Sequence, residues 1–115
     1  MTATPAPTRC GRCGRTLTAA ASIARGYGRG CAAKIDAATK VVDLADYQAA
    51  QLAKAAELIE LVAIARTAPA LYLAVSSRGD ATYAVDQAAC TCTCPAGERG
   101  VRCYHLAAAT ILAAA

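Results

Sequence analysis

Four of the seven cysteines and the only histidine of this 115-residue chain fall within sixteen residues, Cys90-Thr91-Cys92-Thr93-Cys94-Pro95 followed shortly by Cys103-Tyr104-His105. The inner set has the spacing Cys-x-Cys-x8-Cys-x-His. Three thiolates and one imidazole are what a tetrahedral zinc ion takes when protein fills all its positions, with Zn–S of about 2.3 Å and Zn–N of about 2.0 Å. Reduced, buried cysteines with one helix histidine are the alternative, and that reading has this clustering still to explain. A catalytic cysteine–histidine pair would need a third orienting group and an oxyanion site, neither of which the sequence indicates. An ion enclosed by four protein donors has no position for water or substrate, so the expectation is a binding module, not an enzyme, with no small-molecule substrate.

The rest of the composition agrees with a fold held by metal. Aromatic content is thin, with five Tyr and neither Phe nor Trp. Ala makes up 32 of the 115 residues, so the 57% hydrophobic content overstates what can be buried; Ala favours helix but contributes little transfer energy. No basic stretch followed by an apolar one opens the sequence, and a reducing cytoplasmic location is therefore expected, where thiols serve metals more often than disulfides. An odd cysteine count points the same way. No apolar run approaches the roughly 20 residues of a membrane span.

Along the chain, residues 1–8 are rich in Pro and Thr and read as a flexible tail. A glycine-studded, cysteine-bearing module is expected over 9–39, and a linking helix over 40–68, since Leu44, Gln48, Leu52, Ala55, Leu58, Ile59 and Val62 follow helical spacing between Val41 and Arg66. A β-hairpin comes next: Leu71, Leu73 and Val75 alternate, Ser77-Arg78-Gly79-Asp80 supplies a turn, and Tyr83 and Val85 alternate on the return. The Ala-rich stretch from Tyr104 to Ala115 should be helical. The fold class expected is therefore a small zinc-stabilised α+β protein: an N-terminal cysteine knuckle, a long Ala-rich helix, and a C-terminal hairpin plus helix.

The C-terminal pattern resembles the SWIM zinc finger over roughly residues 70–115. Tyr83-Ala84-Val85 stands where that family has the strand before its ligands, Cys92-Thr93-Cys94-Pro95 resembles its Cys-x-Cys-Pro, and Cys103-Tyr104-His105-Leu106 resembles its Cys-x-His opening an apolar helix. Tyr104 replaces the usual Lys between two ligands and leaves the donor set intact. The resemblance implies zinc on Cys92, Cys94, Cys103 and His105, and a role in binding DNA or protein.

At the other end, Cys10-Gly11-Arg12-Cys13-Gly14-Arg15 has the form of a zinc knuckle, two thiolates three apart with glycines relieving the backbone. Cys31 would be a third ligand, in an arrangement like treble-clef fingers, except that Lys34 stands where a fourth ligand would commonly fall. The segment is similar to a small uncharacterised cysteine domain of phage and actinobacterial proteins, which implies no known activity. A redox Cys-x-x-Cys is the alternative, although glycine and arginine here indicate a turn instead of a helix start. Cys90 could complete a second zinc site, since seven Cys and one His make eight ligands. In an extended strand, however, residues 90, 92 and 94 face one side, which would place Cys90 beside the other ion; Asp36 or water is an equal candidate.

The partner expected is nucleic acid or a protein. Residues 1–35 carry Arg9, Arg12, Arg15, Arg25, Arg29 and Lys34 with no acid, and Arg12, Arg15, Arg25 and Arg29, with Tyr27 to stack on a base, form the candidate nucleic-acid surface. Global charge adds little, because seven thiolates and two zinc ions would lower the formal +4 to about +1. The Ala-rich helices offer close approach to a protein partner, and a thiol redox protein is the third class.

Overall fold

Helix α1, Ala20–Arg25, ends at Gly26, whose φ of +82° lets its N–H turn back to the Ser22 carbonyl. Helix α2, Arg29–Val41, starts immediately afterwards, and α3, Ala49–Glu60, is opened by a capping box in which Gln48 and Gln51 satisfy each other's backbone N–H groups. A four-stranded antiparallel sheet follows in the order β1-β2-β3-β4, from Ile64–Ala68, Leu71–Val75, Thr82–Asp86 and Thr91–Cys92. A single turn of helix, α4 at Pro95–Glu98, leads to α5, Tyr104–Ala114. This computed structural model describes residues 9–76 and 78–115; the tail expected over 1–8, and Ser77 of the expected turn, lie outside them. The architecture is the expected α+β one, with two cysteine clusters at its ends.

The linking helix expected over 40–68 is corrected at both ends. It forms only at Ala49–Glu60, where Ala55, Leu58 and Ile59 are buried as the periodicity requires. Before it, the Asp43 carboxylate accepts from the Ala45 N–H at 3.0 Å, a local side-chain bond that competes with helix. After it, Val62 takes a φ of +53° and the chain enters β1, where Ile64 is wholly buried opposite Ala74. Strand pairing and the burial of a β-branched side chain, worth about 1.5–3 kcal/mol, prevail over a helical pattern that ran on too far.

The expected hairpin is β2 and β3, in the register Tyr72↔Val85 and Leu73↔Ala84. Its outer face carries the leucines. Tyr72, Ala74 and Val85 are buried, while Leu71 and Leu73 remain 42% and 45% exposed. The inner face receives α5, whose Ala107, Ala108 and Ala109 are fully buried, so that this helix lies in the centre with contacts to α2, α3 and the sheet. A helix apolar on all sides must be covered on all sides, and alanines let its neighbours come close. None of the described helices is long and apolar enough to cross a membrane.

Candidate metal centres

The four C-terminal donors come from three local structures. Cys92 ends β4, Cys94 and Cys103 are the residues preceding α4 and α5, and His105 lies in the first turn of α5. All four are buried, and one donor atom from each lies within 4.8 Å of the others. Sγ of Cys92 is 3.9 Å from Nδ1 of His105, close to the roughly 3.5 Å edge that Zn–S and Zn–N bonds at a tetrahedral angle generate. The Gly97 N–H donates to Sγ of Cys94 at 3.3 Å. Gly97 is sterically obligatory, because a Cβ there would collide with the carbonyl of Cys92.

Burial governs the electrostatics of the same cluster. Burial pushes the Cys92 thiol up to about 12; the Cys94 backbone N–H opposes this, while the neighbouring Cys94 and Cys103 thiols reinforce it. Burial likewise raises Cys103 and lowers His105. Tyr83 stands edge-on to the His105 ring at 5.2 Å and Tyr104 lies at 4.1 Å, fixing the imidazole plane. Nε2 of His105 is buried without a hydrogen-bond partner among the described residues. Three buried thiols and one imidazole whose donor atoms converge suit zinc in a closed site, which such a group would hold as a structural cross-link.

At the N-terminal end, Cys10, Cys13 and Cys31 converge within 4.8 Å. The knuckle that presents the first two is closed by Cys10 N–H to Arg15 O at 2.8 Å and Gly14 N–H to Cys10 O at 2.9 Å; Cys31 comes from the first turn of α2. Burial alone would raise Cys10, but backbone N–H groups of Cys13, Gly28 and Arg12 outweigh it and bring the thiol down to about 7. Burial raises Cys31, against a lowering contribution from Arg12, whose Nη1 lies 3.4 Å from its Sγ. The other terminal nitrogen of Arg12 donates to the backbone oxygen of Ala115, tying the knuckle to the end of α5.

Three sequence expectations are corrected here. Cys90 joins neither cluster: its φ of +56° breaks the strand, and its exposed thiol turns toward the Gln87 carbonyl, 3.6 Å away. Tyr27 is 3% exposed and its hydroxyl donates to the Ile59 carbonyl at 2.6 Å, so it is a core residue and has no face for a base. Arg12 is turned inward onto Cys31 and Ala115, whereas Arg15, Arg25 and Arg29 are exposed. Arg12's role went unread although it sits between two cysteines of the knuckle, and nothing in the spacing singled out Gly97.

Residues 78–114 match the SWIM zinc finger family, and residues 1–36 match a family of unknown function, DUF6011. No curated protein and no solved structure matches the chain. The C-terminal segment is thus a SWIM zinc finger carrying the four buried donors, and the chain holds two candidate metal sites, of which this is the zinc site.

Proposed function

We propose that this chain is a zinc-stabilised, non-catalytic module that binds nucleic acid, DNA in the first instance, through its N-terminal unit. The observation that carries the reading is the exposure of Arg9, Arg15, Arg25 and Arg29 on a unit with no acidic residue before Asp36. Phosphates are what an exposed arginine surface recognises, and contact with them releases counterions. The finger then serves as the scaffold: zinc cross-links β4, α4 and α5, and α5 supports the N-terminal knuckle through Arg12. A donor set filled by protein supports a structural zinc over a catalytic one, and unpaired thiols suit a reducing compartment.

Anisotropy titrations of a labelled duplex between 50 and 200 mM salt test the proposal. Four phosphate contacts give a slope of log K against log salt of about −3 to −4, and Arg15→Ala with Arg29→Ala removes about two of those units. Binding with a flat salt dependence, or unaffected by the double variant, would refute it. One observation favours a second reading, a protein adaptor: Leu71 and Leu73 are exposed on the outer face of the sheet. Association that is insensitive to salt and lost in Leu73→Ser would favour that reading.

A further inference from the structure

We infer that Cys10, Cys13 and Cys31 hold a zinc ion on three thiolates with Arg12 as counter-charge, and that its fourth donor is exchangeable and comes from outside the chain. That donor is water by default, and an imidazole or thiolate where one is presented. The inference does not depend on what the arginine surface binds.

The argument begins with an inventory of donors. Among the described residues no other Cys, His, Asp or Glu joins the three sulfurs, and the remaining positions, residues 1–8 and Ser77, contain none of these types. Cys90 is turned toward Gln87, and Asp36 lines the groove between α2 and α3 instead. Three corners of a tetrahedron are therefore supplied and the fourth is not. The two sites also differ in access. All four finger donors are buried, whereas Cys13 is exposed and Cys31 partly so, so a molecule from solvent can reach one ion and not the other.

Charge points the same way. A divalent ion on three thiolates carries one net negative charge, and on four it would carry two. Among the described residues the cation hydrogen-bonded to the cluster is Arg12, held against Cys31 and anchored by Ala115. Cys10 accepts the Gly28 N–H at 3.4 Å, and Cys31 sits at the start of the thirteen-residue α2, where the helix dipole favours a thiolate. These supports suit a three-thiolate ion paired with one guanidinium.

The full chain, reduced and loaded with cobalt(II) or zinc, tests this directly. Native mass spectrometry should give two metal ions per chain in the wild type, in Cys90→Ser and in Asp36→Asn. Added imidazole should displace the water on one cobalt and shift its visible bands, equally in all three proteins. Arg12→Ala should weaken the second metal by about ten- to a hundredfold, the usual reach of a neighbour that orients a ligand, and Arg12→Lys should recover part of it. A wild type that takes up one ion, bands indifferent to imidazole, or loss of the second ion in Cys90→Ser or Asp36→Asn would each overturn the inference.

Discussion

Sγ of Cys92 and Nδ1 of His105 lie 3.9 Å apart, although one ends a strand and the other opens the central helix. An ion between them joins the sheet to α5, so the metal site and the hydrophobic core share a helix. His105→Ala should therefore behave as a folding mutation. We expect zinc to fall by one ion per chain and helical ellipticity to fall with it, since structural zinc contributes an apparent 10–16 kcal/mol at neutral pH in finger peptides. Native mass spectrometry and circular dichroism on the same sample check this; an unchanged spectrum after zinc loss would contradict it.

Gly97→Ala should be nearly as damaging without touching a ligand. Its methyl group would meet the Cys92 carbonyl, forcing α4 away and moving Cys94 with it. The expected cost is about 2–3 kcal/mol, read as a lower denaturation midpoint together with weaker zinc. Gly79→Ala is a comparison for the effect of strain alone, because it has positive φ but open space around it.

Zinc uptake should be strongly pH-dependent. Burial holds the metal-free thiols of Cys92 and Cys103 above their ordinary range, so binding must expel their protons, and affinity should rise with pH through neutrality. His105 acts in the opposite sense: burial lowers its pKa, so the imidazole stays neutral and ready to ligate to a more acidic pH than usual. Calorimetry in buffers of different ionisation enthalpy should show net proton release per zinc. Release of none would mean that the thiolates are already formed.

Tyr27→Phe separates core from surface. Losing the hydroxyl removes one of two donors to the Ile59 carbonyl, which keeps the Val62 N–H at 3.0 Å, at a cost of about 0.5–1.5 kcal/mol. Nucleic-acid affinity at a temperature where both proteins are folded should not change. A large loss of affinity with unchanged stability would return Tyr27 to the binding surface.

The donors were legible because metal chemistry fixes residue type and spacing together, and Cys-x-Cys-x8-Cys-x-His has few other uses. The linking helix was only half legible. Leu52, Ala55, Leu58 and Ile59 obey helical periodicity, but Val62 and Ile64 can join the same pattern while β1 depends on pairing with β2, a long-range fact absent from any local window. The faces of β2 are not legible for a related reason, since Leu-Tyr-Leu-Ala-Val is apolar at every position and only α5, with its alanines, decides that Tyr72 and Ala74 go inward. Arginine is by type a surface residue; Arg12 departs from this because the Cys31 thiol offers it an acceptor.

A helix buried on every side at Ala107, Ala108 and Ala109 cannot be half folded. If zinc leaves, α5 loses its anchor at Cys103 and His105, and the surfaces of α2, α3 and the sheet that it covers are uncovered together. In surroundings poor in zinc the chain should then be cleared by proteases instead of persisting as an idle apo form, so that its abundance, more than its occupancy, would follow the supply of metal.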